Sequence, residues 1–340
     1  MPSVVATAPT RICDCGGWTD TWFAGYGAVL HIAIMPGVRV RVDSAASAAP
    51  QPPVTVHLEN YGESYAFTPD RLPGRHPLIE AAVAMCPVPG MSLDVTVSSD
   101  MPPGASTGTS ASLAVALLAA LTHVRGESHA PADLARLAHR VETERLGLQS
   151  GIQDQIAASY GGINFVEMPS YPDALVTPLE IRQQTRTALE DRLVLVYLGR
   201  AHRSSDVHED VIRSLREGTT HALDMLRHAA VLARDALARG DLEAFGAALA
   251  ANTDGQRQLH PSLVGCDAGR LVEVASSVGA LGWKVNGAGG EGGSIAVLLG
   301  DSPDAARRRL LDRLGDVSPH ARLIPMRLAP SGAAAESAPA

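Results

Sequence analysis

Over the first hundred residues apolar side chains recur mostly at every second position, and that spacing predicts strands. Residues 4–15 alternate loosely and end in the turn Gly16-Gly17-Trp18-Thr19-Asp20, and 28–34, 37–42, 54–58, 64–67 and 92–98 repeat the pattern. A Ser/Ala/Pro stretch at 44–53 reads as a surface loop, and 76–85 carries the first helical spacing. Beyond residue 109 the period lengthens. The apolar segment 113–121 predicts a long helix, and 132–146 repeats apolar positions every three to four residues behind Pro131, with Asp133 in its first turn. Further strands are expected at 163–168, 193–198 and 294–299, separated by 206–240, 242–256 and 268–278, which favour helix. The first half is therefore β-rich and the second half more helical. A tail at 329–340, rich in Ala, Pro and Ser, predicts disorder.

Composition narrows the classes. In 340 residues, 46% apolar, the chain can bury a substantial core, in two domains or one large one. With 28 basic against 36 acidic residues and no basic block, nucleic acid is not the expected partner. The start lacks a basic-then-apolar leader, and no apolar run approaches the roughly 18 residues that span a bilayer, so a cytoplasmic address without membrane partners is expected. Four cysteines, Cys13, Cys15, Cys86 and Cys266, are too scattered for a disulfide scaffold, and Cys13-x-Cys15 offers half a metal site with no second pair to complete it.

The chemistry concentrates in glycine-rich stretches. Pro102-Pro103-Gly104-Ala105-Ser106-Thr107-Gly108-Thr109-Ser110 runs straight into the helix at 113. Such a loop leaves backbone N–H groups unpaired at the positive end of the helix dipole, which suits phosphate. It also reads as an ordinary Ser/Thr cap, and no Gly-Lys-Ser/Thr follows to make it a Walker loop. A second stretch, Gly147 to Gln155, holds Asp154 in a Gly-rich turn, and a third is Gly287-Ala288-Gly289-Gly290-Glu291-Gly292-Gly293. Turns of this kind near the start, middle and end of the chain suggest one composite site.

Ala8-Pro9-Thr10-Arg11, then Pro102-Pro103-Gly104 with Gly108-Thr109-Ser110, then Gly287-Ala288-Gly289-Gly290 resemble the three motifs of the GHMP small-molecule kinases, in that family's order. Gly16-Gly17-Trp18-Thr19-Asp20-Thr21, Gly27-Ala28-Val29-Leu30, Gln153-Asp154-Gln155 and Tyr160-Gly161-Gly162-Ile163-Asn164-Phe165 are similar to the sugar-kinase branch that contains D-glycero-D-manno-heptose 7-phosphate kinase and L-fucokinase. The likeness runs from about residue 5 to 327.

The resemblance implies a two-domain α+β GHMP fold with its site in the cleft. The expected domains are 1–180, carrying the phosphate loop and the catalytic Asp, and 181–328, followed by the disordered tail 329–340. It implies ATP and Mg²⁺ as cofactors and a sugar or sugar phosphate as the partner. Pro103, Gly104, Ala105, Ser106, Thr107, Gly108, Thr109 and Ser110 would wrap the nucleotide phosphates, with Gly287, Gly289 and Gly290 closing beneath them. Ser110 and Glu144 would hold the metal, hard oxygen donors of the kind Mg²⁺ takes. Asp154 would accept or orient the proton of the attacking hydroxyl and Arg11 would stabilise charge in transfer. Asp20, Gly17, Thr19, Gly151 and Gln153 would receive the sugar. Arg203, or less directly Arg75, would hold a phosphate already on it.

Two positions depart from the family pattern. Ser106-Thr107-Gly108 stands where the family usually has Gly-Leu-Gly, and Glu291 interrupts the last glycine run, where a carboxylate near phosphates is repulsive unless it faces away or binds metal. The expected reaction is phosphorylation of an anomeric hydroxyl, with heptose 7-phosphate as the first substrate and a free, fucose-like sugar as the second. A catalytically silent sugar or nucleotide sensor is the alternative from another class.

Overall fold

The computed structural model describes residues 3–200, 211–213 and 220–338. Its first sheet is built on β1 (Ser3–Cys15) and β2 (Gly27–Ala46), which run antiparallel along most of their length. The other side of β2 is divided. Its first part pairs with β6 (Ile163–Ser170) and its last part with β5 (Met91–Ser99), so the sheet forks at residues 33–37. Beyond β5 lie β3 (Val54–Leu58), parallel to it, and β4 (Glu63–Phe67); β7 (Asp173–Pro178) lies outside β6. The sequence pattern predicted two strands at 28–34 and 37–42, where the fold makes one strand of 20 residues.

Two helices cover this sheet, α1 (Pro77–Met85) and α2 (Thr109–Val124). Eleven of the sixteen α2 residues are buried, from Ala111 to Thr122, which is why the segment reads as uniformly apolar rather than amphipathic. Next come α3 (Pro131–Arg140), a π turn over Val141–Arg145, and α4 (Gln153–Tyr160). The helix predicted at 132–146 thus ends early: Leu146 N donates to the carbonyl five residues back, Val141.

A second sheet, in the order β11–β8–β10–β9, is antiparallel throughout, with β8 (Leu193–Tyr197), β9 (Ala280–Val285), β10 (Ser294–Leu299) and β11 (Arg322–Ile324). Helices α5 (Gln183–Arg192), α7 (Leu242–Leu259), α8 (Cys266–Ser277) and α9 (Pro303–Val317) pack around it, and α6 (Thr220–Arg239) lies between α7 and strands β1 and β2 of the first sheet. One apolar cluster joins the two units: Ile12, Leu30, Ile32 and Ile34 of the first sheet pack with Leu195 and Leu298 of the second and with Phe245 and Leu249 of α7. At the foot of α7 the approach is closer still. A Cβ on Gly246 would lie 2.5 Å from Leu281 O and one on Gly282 would lie 1.9 Å from Gly246 O, so helix and strand touch backbone to backbone.

The chain's end departs from expectation. Of the tail 329–340, expected to be disordered, the described residues to 338 return to the first sheet: behind β12 (Arg327–Leu328), which pairs with β2, β13 (Ala334–Ser337) adds to the free edge of β1, from Val4↔Ser337 to Thr7↔Ala334. A ladder needs only backbone N–H and C=O groups, so small Ala and Ser residues serve where composition suggested no structure. Among the described residues no helix is long and apolar enough to cross a membrane.

Candidate active site

A cavity of about 670 Å³ opens between the two units, bounded by the turn after β1, the loop before α2, the segment 147–155 and the turn at Gly287. The loop before α2 enters the helix with Gly108 at φ 73° and no side chain capping the first N–H groups, which leaves them for a ligand. Gly104 and Ser106 also take positive φ. Gly104 through Ser110 line the cavity and Ser110 is exposed to it, whereas Pro103 does not line it; its carbonyl accepts the Tyr197 hydroxyl at 3.2 Å.

Arg11 and Asp154 meet beneath this loop. Arg11 Nε and Nη2 donate to the two carboxylate oxygens of Asp154 at 2.8 and 3.0 Å, and Nη1 donates to Ser106 O. Burial opposes the Arg11 charge, but the carboxylates of Asp154, Asp14 and Asp20 outweigh it and hold the guanidinium protonated. A Cβ on Gly108 would come within 3.2 Å of the Asp154 carboxylate, so this position keeps the helix start in contact with the acid.

The end of the cavity expected to receive the sugar is built around Asp20, only 5% exposed. Its Oδ2 accepts from Gln153 N at 3.1 Å and occupies the space a side chain at residue 151 would need, 2.0 Å from the Cβ position of Gly151. Burial raises the Asp20 carboxyl to about 6; the Gln153 N–H opposes this and the Asp154 charge adds to it. Gly17, Gly151 and Gln153 line the cavity with it. Thr19 does not: its hydroxyl is buried between Gly16 O and Ala28 O and shapes the turn instead.

Further expectations change. Glu144 is solvent-exposed and paired with Arg140 at 2.9 Å, one helical turn back, and does not line the cavity. The carboxylate that does is Glu142, 8% exposed, whose Oε1 has no hydrogen-bond partner and whose carboxyl burial raises to about 7. Gly289 and Gly290 pack on Leu263 and pair with Val264, so of the three glycines only Gly287 faces the cavity. Arg75 is held by Glu63 near the outer strand β4. Arg203 lies outside the described residues. Glu291 faces away from the phosphate loop and accepts from Cys266 N at the start of α8, which removes the repulsion its sequence position suggested.

Several residues of the site escaped the sequence reading. Asp14 lines the cavity and is paired with Lys284 at 3.2 Å, both side chains no more than 2% exposed, and Gly287 N donates to both Asp14 oxygens. Asn286 Oδ1 accepts from Cys13 N, and Asn252 Oδ1, on α7, accepts from Gly16 N. These bonds tie the second unit to the β1 turn. The signal was present: a charge at 14 inside the apolar run Ile12, Cys13, Cys15 needs a buried partner. Both thiols are inert there, Cys15 pushed up to about 12 by burial.

The family models described as GHMP kinases N terminal domain and GHMP kinases C terminal match residues 77–162 and 233–316, together half of the chain. A D-glycero-alpha-D-manno-heptose 7-phosphate kinase of Campylobacter jejuni is 28% identical over 203 residues, 59% of this chain and 60% of that one. A bifunctional fucokinase/GDP-fucose pyrophosphorylase of Arabidopsis thaliana is 26% identical over 88% of this chain, which spans 30% of that larger protein. Among solved structures, a D-glycero-D-manno-heptose 1-phosphate kinase from Bacteroides thetaiotaomicron superposes with a TM-score of 0.76 at 21% identity, covering 99% of this chain and 100% of that one. A Lactococcus lactis galactokinase complexed with galactose superposes at 0.75 and 17% identity over 98% and 95%. At these identities the structures speak for the fold.

Proposed function

The chain belongs to the GHMP kinase family, and on that footing we propose that it is an ATP- and Mg²⁺-dependent sugar kinase that phosphorylates an anomeric hydroxyl. The observation that carries this reading is the Arg11–Asp154 pair, set between an uncapped helix N-terminus on one side and the buried Asp20 on the other. The nucleotide phosphates lie along the backbone N–H groups at the start of α2. Asp20 accepts hydroxyls of the sugar, a carboxylate suited to a vicinal diol. The acceptor oxygen then forms a bond to the γ-phosphorus as the bond to the bridging oxygen of ADP breaks.

In a loose transition state the acceptor keeps its proton until late, so Asp154 need not be a strong base. Held in place by Arg11, it orients the hydroxyl and receives the proton as transfer completes. Arg11 offsets the charge that builds on the transferring group. Glu142 and Ser110 fit Mg²⁺: the unpartnered Oε1 of Glu142 is a buried hard donor on the same cavity as the exposed Ser110 hydroxyl. The ion, when bound, neutralises the β,γ-phosphate oxygens.

D-glycero-D-manno-heptose 7-phosphate, giving the 1,7-bisphosphate, is the substrate that the Campylobacter relative's name supports. A free sugar is the second reading, favoured by one observation: among the described residues lining the cavity Arg11 is the only Lys or Arg, and Asp154 already occupies it. A coupled ADP-release assay over heptose 7-phosphate, free heptose, fucose, mannose and galactose separates the two. Turnover is expected on the heptose 7-phosphate, falling roughly 10²–10⁴-fold in Asp154→Asn. Preference for a free sugar would move the reading to the second substrate class, and silence on every sugar with ATP still bound would leave a sensor.

A further inference from the structure

Tyr171 sits in the turn between β6 and β7, its ring packed with Ile152, Ile156 and Met168. Its hydroxyl lies 2.9 Å from Ser150 O and 2.8 Å from His139 Nε2, and His139 Nε2 is itself 3.2 Å from Ser150 O. A carbonyl only accepts and a phenol has one proton, which restricts the pattern. The arrangement is satisfied when Tyr171 donates to Ser150 O and His139, carrying its proton on Nε2, donates to the Tyr171 oxygen. His139 is 4% exposed, on α3, and neither it nor Tyr171 lines the cavity.

The carbonyl they hold is at the hinge of the sugar end. Ser150 Oγ donates to Gly151 O; the Asp20 carboxylate fills the space beside Gly151; Gln153 N donates to Asp20; Asp154 follows. At the other end of the same segment Leu148 N donates to Glu142 O. The segment 148–154 therefore links the Glu142 backbone to Asp20 and Asp154, and its middle is fixed by two side chains from elements that the loop does not belong to.

We infer that Tyr171 and His139 are positioning residues that clamp the Ser150 carbonyl and so set the spacing of Asp20 to Asp154 for the sugar. The inference rests on the sugar-kinase reading for its kinetic consequence and on geometry alone for the clamp. With the loop preformed, sugar binding does not have to order it. Without the clamp, ordering falls to the ligand, and the cost enters the sugar KM rather than the ATP KM.

The test uses the full-length protein and the variants Tyr171→Phe, His139→Leu and His139→Gln. Phe removes one oxygen and leaves the ring in its packing, so the variant folds; Gln offers an N–H where His139 Nε2 stands, whereas Leu cannot. Amide hydrogen exchange at 147–153 in the sugar-free protein is expected to quicken about tenfold in Tyr171→Phe and His139→Leu and to return toward wild type in His139→Gln, with exchange in α2 unchanged. On whichever sugar the wild type turns over, KM for that sugar is expected to rise about tenfold while kcat and the ATP KM stay within twofold. Unchanged exchange and unchanged sugar KM, with only a lower melting temperature, would overturn the clamp, as would a loss confined to kcat. If the wild type turns over no sugar, the kinase reading fails and the exchange result still decides the clamp.

Discussion

Burial places the Asp20 carboxyl near 6, and this one residue then opposes folding and favours function in the same pH range. An unfolded aspartate loses its proton near 4, so between about 4 and 6 the folded chain holds more protons than the unfolded one. Stability falls as pH rises through that window and stays lower above it, by on the order of 3 kcal/mol. Asp20→Asn is expected to raise stability to urea by that order at pH 7.5 and to leave it unchanged at pH 3. Sugar binding has the opposite sign: the ionised carboxylate is the better acceptor, so kcat/KM for the sugar rises as pH climbs through about 6, and Asp20→Asn loses the rise together with most of the activity. A pH series on both proteins, read by denaturation and by initial rate, checks the two halves independently.

The exchange of roles between Glu142 and Glu144 belongs to an element. The likeness to the family pattern places the metal carboxylate on Glu144, and the apolar spacing predicts one helix through residue 146. The π turn at Val141–Arg145 changes which side of the chain end faces the cavity, leaving Glu144 beside Arg140 in water. Glu142→Gln is therefore expected to raise the Mg²⁺ requirement and lower kcat by 10²-fold or more, and Glu144→Gln to stay within twofold, since an exposed i,i+4 pair is worth about 0.3–0.5 kcal/mol. A Mg²⁺ titration of initial rate distinguishes them. Elements with a strong pattern were legible: the uniformly apolar α2 and the strand β1 lie where their spacing put them, although β1 is buried almost throughout rather than alternately, and Asp154, expected in a Gly-rich turn, stands in the first turn of α4. What could not be read was set by long-range contact. Nothing in the composition of Ala334–Ser337 reveals that the edge of β1 is waiting for it, and Thr19 looks like a ligand contact until Ala28 is seen to hold it.

Across the whole molecule the site is held by its far unit as much as by its own loops. The buried Asp14–Lys284 pair joins β1 to β9 and anchors the Gly287 turn under Ser106. Removing one partner leaves an uncompensated charge, a loss of about 3–5 kcal/mol. Lys284→Met is expected to lose that much in urea and to raise the ATP KM, with the double variant Asp14→Leu/Lys284→Met recovering part of the stability but not the ATP affinity, because Gly287 N then has no acceptor. Alpha-helix α7 carries Asn252, which reaches Gly16 at the root of the sugar end, and Gln256, which donates to Val285 and Gly287 at the root of the phosphate end. Both reach from a helix whose height above β9 is fixed by the bare backbones of Gly246 and Gly282. That contact works as a gauge block: with no side chain to compress or swing aside, it admits one separation only, and the two ends of the cleft inherit their alignment from a point that neither substrate ever touches.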